Sequence, residues 1–293
     1  MKINIRRLKT SLKSKLTSLV SKEGTAPKSQ KPIRQRKRGK MVAQKRTGAG
    51  SIMRATSASA TKPQSLAPET VGGIVPTTEQ AIDMGLSVKW APWNVGASKP
   101  EEQGAYFAWG EINASKESYD WGTYFWITEG KCNWVNISKY QIADGQTSGD
   151  WYNDLGLFIG DGKSNLESVD DAATANWGGG WRMPTTAEFE ELMDENNCWW
   201  RWVTNYKNSG LAGYEIKSKK TEGVLFLPAA GHRWKSDLYS ASYCGCYWSS
   251  ELYLGTTHFA HCLNFDFFDP YYNDDHESRD RGYSVRAVAV SAE

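Results

Sequence analysis

Nowhere in these 293 residues do apolar side chains run unbroken for the 18 or more positions of a membrane-spanning helix. Residues 1–22 are basic but place Leu and Ile singly among Lys, Ser and Thr, so the continuous apolar core of a secretory signal peptide is missing. No cysteine near the N-terminus offers a lipid attachment point. The expectation is a chain that stays in a cytoplasm before assembly, or leaves by a route without a signal peptide, such as incorporation into a virion and display on its surface. Cysteine is scarce: Cys132, Cys198, Cys244, Cys246 and Cys262 are odd in number and irregular in spacing, which argues against a secreted disulfide framework. Tryptophan is absent from the first 89 residues, and all fourteen lie beyond them, so the packed domain belongs to the C-terminal three-quarters.

The net charge of +2 conceals two different objects. Residues 1–62 carry 18 Lys/Arg against the single acid Glu23, a net +17, and the remaining 17 Lys/Arg and 32 Asp/Glu give −15. The predicted division is a basic arm over 1–76 and a folded domain over 77–293. Ile5, Leu8, Leu12, Leu16 and Leu19 recur at spacings of three and four, which reads as a basic amphipathic helix over 3–22. It is compatible with a weakly helical solvated tail, a docking helix for an acidic partner, an oligomerising helix or a membrane-surface helix. Residues 23–75, centred on KPIRQRKRGK at 31–40, cannot bury enough apolar surface to fold alone. Their charge suits nucleic acid or an acidic protein, but without interleaved aromatics they form no base-stacking platform, only an electrostatic tether.

With 40% hydrophobic residues, the rest of the chain suffices for one sizeable core or two small ones. LSVKWAPWNVG at 86–96 and AYFAWGE at 105–111 read as aromatic strands. A short helix is expected over 167–176, stopped by Gly178, Gly179 and Gly180. Thr185 and Glu188 form a capping box, so a second helix should start near Thr186 and bury Phe189 and Leu192. GYEIKS at 213–218 and GVLFLPAAG at 223–231 read as a strand pair. CYWSS, HFAHCLNFDF and GYSVRAVAV complete an antiparallel set. The predicted class is α+β, with short antiparallel strands, two or so helices and long irregular loops.

The stretch from Leu252 to Arg281 has an unusual alphabet. It lacks Lys, Gln, Met and Trp, and every residue but Glu277 belongs to the set that codons ending in cytosine encode. Stiff frames flank it, YWSS at 247–250 and GYSVRAV at 282–288. A near-random polar and aromatic segment between two frames points to a diversified binding face over about 239–283, whereas a chemical active site needs a fixed residue set. The candidate ligand-binding residues are Tyr243, Cys244, Cys246, Tyr253, His258, Phe259, His261, Cys262, Asp266, Phe268, Tyr271, Tyr272, Asp274, Asp275, His276, Asp280 and Arg281. Tyr offers rigid contact area with one polar handle at low entropy cost, as antibody loops exploit, and the Asp residues would make the face acidic.

The motifs AIDMGLSVKWAPWNVGAS (81–98), YFAWGE (106–111), DDAATANWGGGWRMPTTAEFEEL (170–192), LFLPAAGHR (225–233), YWSS and GYSVRAV resemble the Fibrobacter succinogenes major paralogous domain family of gut Bacteroidetes and their mobile elements. The resemblance spans about residues 79–290. It implies a C-type-lectin-like fold related to the formylglycine-generating-enzyme type, whose helix-entry motif WRMPTTAEFE resembles. Several members of that fold are variable proteins of diversity-generating retroelements, in which a reverse transcriptase mutates template adenines. AHCLNF at 260–265 and RDRGYSVR at 279–286 look like such a template after mutagenesis.

Other chemistries fare less well. His258, His261, Cys262, Cys244 and Cys246 could be assembled into a zinc site on paper, but their spacing matches no common ligand pattern, and no metal or cofactor is expected. Cys244 and Cys246 do not match the reactive pair of a formylglycine-generating enzyme, so no enzymatic activity is expected. WYND at 151–154 departs from the calcium motif of sugar-binding lectins. Gly178–Gly180 precede no Lys-Ser/Thr and are not a phosphate cradle. The expectation is a non-enzymatic ligand- or receptor-binding protein, an adhesin in the broad sense, with a protein or glycan ligand at the variable face. A nucleic acid or acidic partner is expected at the arm, and a homo-oligomer or virion assembly for the whole. A bacteriophage virion or decoration protein and a polysaccharide-binding module are the alternatives.

Overall fold

Among the described residues, two short α-helices begin where side chains satisfy their first amides. Asp171 accepts from the amides of Ala173 and Thr174, each at 2.9 Å, and opens α1, Ala172–Trp177. Gly178, at φ +87°, ends it. The helix expected from 167 therefore starts five residues later, because residues 167–170 close a turn in which the Asp170 amide donates to the Glu167 carbonyl at 2.8 Å. The second helix, α2, Thr186–Met193, starts at the expected capping box, with Thr185 and Glu188 each accepting from the other's amide. Phe189 and Leu192 on its inner stripe are buried as expected.

This computed structural model describes residues 71–114, 116–141, 160–270 and 276–290. The amphipathic helix, the basic run and WYND lie outside the described residues. Residues 71–76, which the sequence reading gives to the linker, belong to the folded body. The Ile74 amide donates to the Ala97 carbonyl at 2.9 Å, and the indoles of Trp93 and Trp181 donate to the carbonyls of Ile74 and Pro76 at 2.7 and 3.0 Å.

Among the described residues, ten short strands form four small sheets whose ladders are all antiparallel, so this part of the chain is a mixed α+β fold with few helices. β1 (Trp181–Arg182) pairs with β10 (Val288–Ala289). β2 (Cys198–Val203), β3 (Gly213–Ser218) and β4 (Val224–Pro228) make a meander that contains the expected pair at 213–231. β5 (His232–Trp234) and β6 (Asp237–Tyr239) form a hairpin. β7 (Cys244–Leu252), β8 (Phe259–Asp266) and β9 (His276–Ser278) form the last sheet.

The segments at 86–96 and 105–111 are not strands. Their backbone groups make isolated pairings with the C-terminal run: the amides of Ala91, Val95 and Trp109 donate to the carbonyls of Ala287, Val285 and Arg279, and Phe107 and Tyr283 donate to each other. The motif GYSVRAV is thus a hub that several irregular segments share, and only its last residue, Val288, belongs to a regular strand. β7 is the wall between two apolar cores. Cys246 and Trp248 point into one and Tyr247 into the other, as alternation along a strand requires. Among the described residues, no helix is long and apolar enough to cross a membrane.

Candidate ligand-binding face

One end of the β7–β8–β9 sheet and the turn joining β7 to β8 bring together five of the residues singled out in the sequence, Tyr253, His258, Phe259, His261 and His276. Register places His261 opposite His276 and Phe259 opposite Ser278. The Tyr253 ring stacks on His276 at 3.8 Å and 8°, and meets His261 edge-on at 5.4 Å. Phe259 lies 5.4 Å from His276 and 4.3 Å from His258. His258 in turn lies 4.5 Å from Trp134. All six rings are half-buried, so each rests on the protein while presenting an edge or face outward. Such a set is rigid before it binds anything, which lowers the ordering cost of binding. Burial, and after it the Arg279 guanidinium, holds the His258 imidazole below its ordinary pKa, so this ring is neutral at pH 7.

Arg279, adjacent to the candidate Asp280, supports the cluster from below. Its side chain is fully buried, donates from Nε to the Tyr124 hydroxyl at 2.9 Å and from Nη1 to the Thr257 carbonyl at 3.0 Å. Its guanidinium lies over Trp109 at 4.8 Å. Nothing in the sequence singles out Arg279, because an arginine in a polar segment reads as surface. Only the surrounding carbonyls and rings make a buried one tolerable.

Other candidates fall elsewhere. Tyr243 and Phe268 are 73% and 80% exposed and stand clear of the core. Asp266 is half-buried and structural: its Oδ1 accepts from the amides of Phe268 and Asp269 at 2.7 and 2.8 Å, shaping the turn after β8. Arg281 lies over the Trp234 ring at 4.4 Å. Cys244 opens β7 and Tyr253 follows its last residue, nine steps of about 3.3 Å along the chain, up to roughly 30 Å away. The candidates therefore do not form one compact footprint.

Three of them are corrected outright. Cys246, Cys262 and Asp280 are buried, with Cys246 and Cys262 in the apolar core and Asp280 only 3% exposed. Alternation turns the two cysteines inward, and Asp280 accepts from the Ser278 hydroxyl, with burial raising its carboxyl pKa. Tyr271, Tyr272, Asp274 and Asp275 lie outside the described residues.

At the N-terminal end of β7, Gly231 pairs with Gly245 and its amide donates to the Cys244 carbonyl at 2.8 Å, which brings His232 of β5 beside the two cysteines. Gly231, at φ +67°, lies so close to the Tyr239 carbonyl that a Cβ there would sit 2.1 Å from its oxygen. The Cys244 thiol is pushed down to about 5. A hydrogen bond from the Cys246 thiol is the largest cause, burial opposes it, and His232 and Ser240 assist. Cys246 moves the other way, well above the ordinary thiol range, for the same shared proton and for its burial. The zinc set considered from sequence does not assemble, because His258 and His261 belong to the ring cluster and not to these cysteines. An open groove of about 660 Å³ lies nearby, lined by Tyr106, Lys116, Tyr119, Arg233 and Leu238 among others.

No family model, no curated protein and no solved structure matches this chain.

Proposed function

We propose that this is a non-enzymatic ligand-binding protein whose contact surface is centred on Tyr253, Phe259, His261 and His276. The observation that carries the reading is the convergence of these residues, spread over 24 positions, into one half-exposed ring cluster on a hydrogen-bonded sheet. Preformed aromatic platforms bind protein loops and sugar rings through flat apolar faces and edge polarity. The antiparallel α+β architecture with long irregular segments is compatible with the C-type-lectin-like scaffold the motifs resemble. The codon-limited alphabet of 252–281 supports diversification of this face. The protruding Tyr243 and Phe268 stand at the opposite end of the sheet and are not part of this surface.

Binding of the full chain to a glycan array and to a panel of purified surface proteins tests the reading. A specific signal should fall at least tenfold in a Tyr253→Ala/His276→Ala double variant that melts as the parent does. A signal indifferent to that change would overturn the assignment of the face. Gene sequences from sibling isolates give a second check, since diversification predicts substitutions at template adenines concentrated between residues 239 and 283.

A further inference from the structure

We propose that His232, Cys244 and Cys246 form a three-ligand zinc site at the junction of the β5–β6 hairpin and β7, a site independent of the aromatic face. One donor atom from each residue lies within 4.8 Å of the other two. The sulfurs are 3.8 Å apart. Two thiolates held about 2.3 Å from a tetrahedral zinc ion are separated by ~3.8 Å, so the two sulfurs already stand at the ligand spacing. A disulfide would need them at about 2.05 Å, and both cysteines are free.

The backbone explains the arrangement. Cys244 and Cys246 are two apart on a strand and point to the same face, with Gly245 between them. A Cβ at Gly245 would fall 2.1 Å from the Phe265 ring, so that ring can lie against the strand only because the intervening residue is glycine. The Gly231–Gly245 bridge then delivers His232 from a separate hairpin. The His232 ring is held between Tyr239 and Tyr283 at 5.7 and 5.9 Å. Its Nδ1 is buried with no hydrogen-bond partner. A buried imidazole nitrogen left unsatisfied costs free energy, and in native proteins it calls for an explanation such as an ion.

Two thiolates and one imidazole are a soft, borderline donor set suited to zinc and poorly suited to magnesium or calcium, which prefer oxygen. Two thiolates balance the charge of a divalent ion. Three protein ligands leave a fourth position for a water or for a donor atom of a bound molecule, the pattern of zinc sites that keep an exchangeable position.

The test uses the reduced full chain and cobalt(II) as the optical probe, with zinc(II) as competitor. One equivalent of cobalt should give thiolate-to-metal charge-transfer absorption and the intense visible bands of tetrahedral coordination, and one equivalent of zinc should abolish both. Cys244→Ser and His232→Ala should each weaken zinc binding by more than about 100-fold, beyond what loss of an outer-sphere partner costs. Cys262→Ser and Cys132→Ser should bind as the parent does. Because Cys246 is buried, the decisive variants are the half-buried Cys244 and His232, each checked by thermal melting. Absence of the charge-transfer band, or binding unchanged in His232→Ala, would overturn the site. An air-oxidised Cys244–Cys246 disulfide as the stable form of freshly purified protein would also overturn it.

Discussion

Arg286 and Asn94 meet at 2.8 Å with neither side chain exposed to solvent, the guanidinium Nε donating to the amide Oδ1. The other guanidinium nitrogens donate to the carbonyls of Ala91 and Phe226 at 3.2 and 3.0 Å. Burial lowers the Arg286 pKa to about 10, which leaves it charged at pH 7. This one side chain ties the segment at 91–94, the middle of β4 and the C-terminal hub together.

Asn94→Ala should therefore cost about 1.5–3 kcal/mol, since it strands a donor of a buried charged group. Urea denaturation measures it. A loss below about 0.5 kcal/mol would mean that the guanidinium finds another acceptor and that the tie is not structural.

The protruding aromatic residues and the core should respond differently to substitution. Tyr243→Ser and Phe268→Ser change exposed side chains and should each shift stability by no more than about 0.5 kcal/mol. Trp248 is fully buried and donates from its indole to the Phe107 carbonyl at 2.8 Å, so Trp248→Ala should cost roughly 3–5 kcal/mol. Comparable losses at all three positions would show that Tyr243 and Phe268 are core residues.

Acid sensitivity should trace in part to Glu188. Burial disfavours its carboxylate, but the hydrogen bonds from Arg182 and Thr185 outweigh burial and hold its pKa below the ordinary value. A depressed folded-state pKa stabilises the protein above the unfolded value of about 4.3, and that contribution is lost as pH falls through the folded value. Glu188→Gln should lower the melting temperature at pH 7, and the gap to the parent should close as pH drops below about 4. A gap constant from pH 7 to 3 would exclude this linkage.

Two truncations separate the arm from the folded body. A chain starting at residue 71 should melt as the full chain does. One starting at residue 77 should be less stable, because the indoles of Trp93 and Trp181 lose the Ile74 and Pro76 carbonyls. Each loss is on the order of 1 kcal/mol for a neutral hydrogen bond. Equal stability of the two truncations would place the boundary at Thr77 after all.

Wherever a local interaction decides the outcome, the sequence is a sufficient guide. Thr185 and Glu188 are three residues apart, so the capping box and the buried Phe189–Leu192 stripe are legible in the sequence alone. The strand pair at 213–231 is visible for the same reason, since alternation and a short connection are local properties. The low cysteine count and the charge division are likewise matters of composition. Long-range partners decide the rest. LSVKWAPWNVG alternates like a strand, yet its amides bond singly to residues almost 200 positions later. Cys246, Cys262 and Asp280 look polar or reactive in a variable segment, but strand register turns the cysteines inward and the fold closes over Asp280. His232 carries no signal beside Cys244 in the sequence, because a bridge between two glycines brings them together. Composition and short spacings settle what a few adjacent residues can satisfy among themselves. Burial of a charge, and the meeting of a histidine with two thiols, depend on which distant backbone groups remain to be paired.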